Sequence, residues 1–382
     1  MARPRKADGL NIEWKNEGTY PVKFSRDMFA EGATALADLL KELTGAEKPR
    51  VMMVADGNVV MHIQGLGSRI GRYLQANGIE LAAPPVVING GEKIKFDDCP
   101  GVKTIMNATL DAKVGANDVM LVLGGGTIFD VAGYAASQVR GGLKIVRIPT
   151  TPAAMVDAAF ADRASLDFAG VKDSISVPSH PSAVMIDVTF AATVLDGVWR
   201  GGLGEIVRHA AVSDSTLMKK FAKAAEKLHE RDMAVFEEIV TAAVESRVRK
   251  GATEFALWSA GRFEAMSAYK FPHGYSVPIS ICIDCAYAVE KGILSEDAQE
   301  TICRALADCG ALDGLSHSYH LLNKPENILV GLHAWRLSHG SESIIIPCGI
   351  GKAAVEPAPD RDAYRKVLKE FLAVSSETDD QQ

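Results

Sequence analysis

Five short apolar runs constrain this chain more than anything else in it: "RVMMVAD" (50–56), "PPVVING" (84–90), "DVMLVLGGG" (118–126), "KIVRIPTT" (144–151) and "AVMID" (183–187). Each is too apolar to face water on either side, and helical stretches separate them. A strand that must be covered on both faces belongs to a mostly parallel sheet, because the crossover helices that parallel strands require also cover it. Ahead of them, "YPVKFSRDMF" alternates like a strand, and "AEGATALADLLKELTG" has helical spacing closed by a glycine stop. The first half is thus expected to be a doubly wound α/β unit.

After Asp187 no strong strand run recurs until "SIIIPCG" (343–349). The intervening stretch, beginning "GEIVRHAAVSDSTLMKKFAKAAEKLHERDMAVFEEIVTAAVESRVRK", is Ala-rich and amphipathic at helical period. A length of 382 residues with 47% hydrophobic content exceeds what one compact unit usually holds. The expected architecture is therefore α/β plus all-α: an α/β domain over 1–190, a mainly helical domain over 191–372, and a polar tail, 373–382, expected to be disordered.

A net charge of −7 argues against a nucleic-acid partner, which requires a dense excess of Lys and Arg. No apolar run approaches the roughly 20 residues of a spanning helix, and "MARPRKADGLNIEWK" is basic without the apolar stretch of a secretory signal. A soluble cytoplasmic protein without a membrane partner is expected. The six scattered cysteines read as reduced thiols; Cys282-x-x-Cys285 lies in an apolar run with no second such pair.

In "VMLVLGGGTIFDVAGYAA" a buried strand enters Gly124, Gly125 and Gly126 and then a helix starting near Thr127. Three glycines let backbone approach a pyrophosphate, and the helix N-terminus offers free N–H groups and partial positive charge. Taken alone, the triplet reads equally well as a tight strand-to-helix turn. Its neighbours add weight: Asp56 and Asn58 follow the first run, Glu92 and Lys95 the second, and Thr150, Thr151 and Asp157 the fourth. Polar groups at several strand carboxyl ends converge on one crevice, where ligands of open α/β sheets bind.

With these residues assembled, "GGGTIFDVAGYAASQVRGG", "IVRIPTTPAAMVDAAFADR", "VKDSISVPSHPSAVMID" and "GGLGEIVRHA" resemble the 3-dehydroquinate synthase family, the sugar phosphate cyclases. That pattern reads GGG-x-x-x-D-x-A-G-F, MRG, PTT-x-x-x-x-VDSS-x-GGK, KN, QP-x-x-x-x-ID and AEV-x-K. The resemblance implies a homodimer with an NAD-binding α/β domain and a helical metal domain. It further implies a carbon–oxygen lyase that transiently oxidises a hydroxyl of a seven-carbon sugar phosphate, eliminates phosphate and closes a carbocycle. A divalent metal, zinc or cobalt, would polarise the reacting oxygens. Asp56, Asn58, Glu92, Lys95, Gly124, Gly125, Gly126, Asp130, Thr150, Thr151, Asp157 and Lys172 stand where the family holds NAD. Arg140 matches the arginine that in the family reaches a substrate phosphate across the dimer.

The pattern breaks at the metal. Glu205 matches the first family ligand and His273 the last, but aligning Glu264 with the glutamate of GH-x-x-GH-x-x-E puts Leu257 on the metal histidine and Gly261 on the second histidine. Glu254, nearly one helical turn before Leu257, is a candidate replacement ligand. Arg208 replaces the lysine of AEV-x-K, Arg163 replaces that of GGK, and Asp173 replaces the asparagine of KN, bringing negative charge toward the substrate. The candidate substrate and catalytic set is Arg140, Asp157, Arg163, Lys172, Arg208 and Lys250, with Arg336 and His339 as the remaining basic candidates; His209, His317, His320 and His333 have no counterpart. Three readings follow: a divergent cyclase, an NAD-dependent alcohol or polyol dehydrogenase of the same architecture, or an NAD-binding protein without turnover.

Overall fold

The computed structural model describes residues 18–379 apart from 97, 169–170, 314 and 316–318, and beyond 371 it describes backbone alone. The basic segment 1–15 and His317 lie outside the described residues.

Each run expected as a buried strand contributes a strand, although in β4 only Val86 is buried and Val87 is exposed. The sheet comprises β1 (Val22–Ser25), β2 (Arg50–Asp56), β3 (Glu80–Leu81), β4 (Val86–Ile88), β5 (Val119–Gly124), β6 (Lys144–Pro149) and, after the hairpin of β7 (Arg163–Phe168) and β8 (Val171–Pro178), β9 (Ala183–Asp187). Its order is β1-β9-β6-β5-β2-β3 with β4 also on β2, every pairing parallel. All six residues of β5 are buried, and so are six of the seven in β2. Val, Leu, Ile and Met on both faces are what a helix-covered parallel strand requires. Each such side chain contributes about 1.5–3 kcal/mol on full burial. The first helix, Ala35–Thr44, ends at Gly45 in left-handed conformation (φ 68°), the expected glycine stop.

The hairpin β7–β8 is the element the sequence reading lacked. It pairs antiparallel, Arg163 opposite Pro178 and Leu166 opposite Ile175, with a register shift before Phe168. Most of β8 faces solvent, so its alternation is mixed with polar residues and carries little apolar signal.

After Asp187 the described chain is helical apart from a small hairpin, β10 (Ile344–Gly349) with β11 (Lys352–Glu356). The long helices Asp196–Ser213, Ser215–His229, Met233–Lys250 and His273–Glu290 form its centre. Asp214 and Asp232 cap the second and third through their carboxylates. The stretch 373–382, expected to be disordered, is instead helical as far as Asp379, because Arg361–Asp379 simply continues into it. Once a helix is nucleated against a packed surface, each further residue costs little. Residues 380–382 lie outside the described residues. Among the described residues no helix is long and apolar enough to cross a membrane.

Helix Asp196–Ser213 presses on both halves through glycines. A Cβ on Gly202 would collide with Pro152 and Ala153, and one on Gly201 with Gly274. One on Gly204 would lie 2.7 Å from Pro278 Cγ.

Candidate functional site

The carboxyl ends of β2, β4, β5 and β6 open on one crevice. At the end of β5, Gly125 holds extended backbone (φ −91°, ψ −174°) and opens the helix Gly126–Gln138. A Cβ at Gly124 would strike Ile128 at 2.8 Å and one at Gly126 would meet Ala158 at 3.1 Å, whereas one at Gly125 would find Thr151 only at 3.5 Å. Gly124 and Gly126 thus let strand, helix and the segment after β6 close up, and Gly125 leaves the backbone open. Thr150 is fully buried with its hydroxyl oxygen unpartnered, and Thr151 caps the short helix Pro152–Val156. Asp56 ties two strand ends together: its Oδ1 accepts from Asn58 N at 2.9 Å, Asn58 Nδ2 at 3.0 Å and Gly90 N at 3.0 Å.

Beside this cradle lies a cluster of charge. Lys95, 2% exposed, stands on the one-turn helix Glu92–Lys95. Its ammonium reaches Asp173 at 2.5 Å, Asp130 at 2.9 Å, Glu92 at 3.4 Å and Asp167 at 3.9 Å. Burial disfavours the charged amine, but Asp130, Asp173 and Glu92 outweigh it and raise the pKa. Asp167, buried on β7, is pushed up to about 6, chiefly by burial. Glu92, Asp167 and Asp173 bring carboxylate oxygens within 4.8 Å of one another, and Lys95 already serves as their common cation.

From Glu92 a string of alternating charges crosses to the helical half. Lys172, on β8, contacts Glu92 at 3.5 Å and Glu264 more closely. Glu264 Oε1 accepts from His273 Nδ1 at 2.7 Å and from the Ser276 hydroxyl at 3.1 Å. His273 Nε2 donates to Glu205 Oε1 at 2.9 Å, and Arg208 Nε donates to Glu205 Oε2 at 2.6 Å. Arg208 extends to Asp157 at 3.1 Å and to the Thr253 carbonyl, and Arg247 approaches Asp157 at 3.6 Å. Asp157 follows the helix that Thr151 caps, so the string ends back at the cradle.

Burial alone would raise both buried glutamates. Arg208 and His273 hold Glu205 down at about 2, and His273 and Lys172 do the same for Glu264. His273 is raised to about 10: burial acts against its charge, but the Glu264 charge and the hydrogen bonds to Glu205 and Glu264 prevail. Both ring nitrogens thus carry protons. His209, the neighbour of Arg208, is instead depressed to about 4 by burial, Arg247 and Arg208, and meets the Ser246 hydroxyl at 3.0 Å.

The structure therefore brings Glu92, Lys95, Asp130, Asp157, Lys172, Glu205, Arg208 and His273 into one connected system around the cradle. Other sequence candidates lie elsewhere. Arg140, with φ 51°, donates to the Val114 carbonyl at 3.1 Å. Arg163 donates to Ser176 across the exposed hairpin. Lys250 ends its helix beside Asp214 and Gly351, in a separate cleft. Glu254 pairs with His339 at 3.3 Å, and Arg336 turns to His333. Glu264, Asp167 and Ser276 emerge as members that sequence reasoning did not single out. For Glu264 the signal was present, since its alignment places it nine residues before His273.

The residues present fit a dinucleotide and do not fit zinc. For the dinucleotide, Gly125 leaves its backbone open, the helix beginning at Gly126 offers free N–H groups, and Thr150 holds an unused hydroxyl. For zinc, a catalytic site takes three protein donors, and here Glu205 and His273 supply two while Leu257 supplies only carbon.

Comparison with known proteins places these features in context. The sequence model "3-dehydroquinate synthase N-terminal" matches residues 85–200, and "3-dehydroquinate synthase C-terminal" matches 202–319. A 3-dehydroquinate synthase of Ruegeria pomeroyi is 28% identical over 374 residues, covering 93% of this chain and 96% of its own. One from Rhodopseudomonas palustris strain BisB18 is 27% identical over 319 residues, 76% of this chain and 81% of that protein. Among solved structures, 2-epi-5-epi-valiolone synthase from Streptomyces hygroscopicus subsp. jinggangensis, with NAD+ and Zn2+ bound, superimposes with a TM-score of 0.81 at 22% identity, covering 96% of this chain and all of that one. A 2-deoxy-scyllo-inosose synthase complexed with carbaglucose-6-phosphate, NAD+ and Co2+ gives 0.75 at 15% identity, covering 91% and 96%. At these identities the structures establish a shared fold.

Proposed function

Because this chain belongs to the 3-dehydroquinate synthase family, we propose that it is a divergent NAD-dependent sugar phosphate cyclase, a carbon–oxygen lyase that forms a carbocycle from a seven-carbon sugar phosphate. The observation that carries this reading is the glycine cradle at the end of β5 facing the string that runs from Lys172 through His273 to Arg208. When bound, NAD would accept a hydride from a substrate hydroxyl and later return it. The open backbone at Gly125 and the helix N-terminus at Gly126 would hold its pyrophosphate, with Gly124 keeping strand and helix close. Thr150, Thr151 and the Asn58 that Asp56 positions would bind its hydroxyl and amide groups.

Hydride loss from an alcohol requires the hydroxyl proton to leave as well. Asp157 is adjacent to the cradle, its side chain 38% exposed, and Arg208 and Arg247 orient it from behind. It is the carboxylate placed to take that proton. Lys172 presents an N–H donor that can hold a substrate oxygen as charge builds on it. In a cytoplasmic homodimer of the kind the family resemblance implies, Arg140 would serve the partner's site; Arg163 and Lys250 would meet substrate only from outside the string. No step is routed through a metal.

Two measurements test the reading. Calorimetric titration should find NAD bound to the purified protein, and incubation with a seven-carbon ketose phosphate should release inorganic phosphate. NADH accumulation without phosphate release would assign the chain to the alcohol or polyol dehydrogenases instead. Absence of NAD binding would remove the reading altogether.

A further inference from the structure

Only two of the family's three metal ligands have counterparts here, Glu205 and His273, one donor short of the three protein ligands a catalytic zinc takes. Glu205 Oε2 accepts from Arg208, and the two ring nitrogens of His273 lie 2.9 Å from Glu205 Oε1 and 2.7 Å from Glu264 Oε1. The third position is Leu257, and the nearby Glu254 is turned to His339.

Arg208 explains the change. Its side chain is 2% exposed and its guanidinium is fully engaged, with Nε on Glu205, one terminal nitrogen on Asp157 and the other on the Thr253 carbonyl. A lysine at this place would offer a single point charge; the planar arginine fork fixes two carboxylates at once and keeps its charge at any ordinary pH.

We propose that Arg208 is the fixed cation of this centre in place of a divalent metal, a positioning residue that holds Glu205 and Asp157 in register, so that no metal is bound by Glu205 and His273. The proposal rests on the reading of the crevice as the active centre, but its test is independent of turnover. Full-length protein stripped with chelator would be titrated with Co2+, followed by visible absorption, and with Zn2+, followed by calorimetry. Wild type should show no tetrahedral cobalt band and no uptake that His273→Ala changes. The pair Arg208→Lys with Leu257→His should gain one cobalt site and bind zinc at least about 100-fold more tightly, the upper end of what changes around a metal's ligands produce.

One equivalent of zinc held by wild type and lost in His273→Ala would overturn the proposal. So would a double variant that melts like wild type yet gains no metal affinity. Should the double variant not fold, the wild-type titration decides alone. NAD titration of the same samples reports separately on the parent reading: NAD bound with zinc held at His273 sinks this inference only, and NAD unbound sinks the other.

Discussion

The two sides of the crevice recognise their ligands by different means. On the sheet side the groups facing the dinucleotide position are largely main chain: the open bend at Gly125, the free N–H groups of the helix after it, and the strand ends tied by Asp56. On the helical side every feature is a side chain, and each is bonded to another. A backbone site survives substitution around it as long as the turn is kept. A side-chain site can be rewritten by two substitutions, as proposed above for Leu257 with Arg208.

The contrast can be broken most forcefully from the helical side. Arg208→Ala would leave Glu205, 2% exposed, without one of its two cations. Removing one partner of a buried pair costs about 3–5 kcal/mol, so denaturant unfolding should move by that amount; a loss under ~1 kcal/mol would mean that the string is decoration.

Next comes Gly125→Asp. The position has room for a Cβ, so the fold should stand, but a carboxylate would fill the cradle with the wrong charge. NAD affinity should fall about 100-fold, equivalent to ~2.7 kcal/mol, with unchanged melting. Undiminished affinity would place the dinucleotide elsewhere.

A third experiment contrasts two buried carboxylates within the helical half. Glu264 is surrounded by cations and held near 2, whereas Asp284 meets neutral donors, Trp258 Nε1 at 3.1 Å, the Tyr364 hydroxyl at 2.9 Å and the Ala256 backbone, and burial pushes it up to about 7 from its ordinary 3.8. A carboxyl raised by folding binds its proton more tightly in the native state. Its stabilising contribution is therefore complete below pH 3.8 and is lost as pH climbs through about 7. Asp284→Asn should flatten that decline, removing up to about 4 kcal/mol of pH dependence across the window. An unaltered pH–stability curve would show that Asp284 ionises freely.

The smallest effect belongs to Arg304→Ala. Its partner Glu300 is exposed on the same helix face, and exposed pairs contribute less than about 0.5 kcal/mol. A larger loss would erase the distinction between surface pairs and the buried string.

How much of this was legible beforehand follows from the same contrast. The parallel strands were plain because residues buried on both faces, as in β5, must be apolar throughout. The glycine bend was legible as a close strand-to-helix turn because Gly124 and Gly126 have little room for a Cβ. The hairpin β7–β8 was not, since its outward strand alternates with serines and an aspartate. Glu205 and His273 were matched through the family resemblance. The rest of the string was not, because its next link joins Lys172 to Glu264, ninety-two residues apart, which only the tertiary fold juxtaposes.

The glycines of helix Asp196–Ser213 have one more consequence. Where Gly202 rests against the Pro152 ring and the Ala153 amide, the two halves meet with no freely rotating side chain between them. Relative motion at that seam cannot be accommodated by local repacking. Any widening of the cleft to admit a bulky solute must therefore come from its far rim, where β7 and β8 stand exposed and Lys172 supplies the last tether.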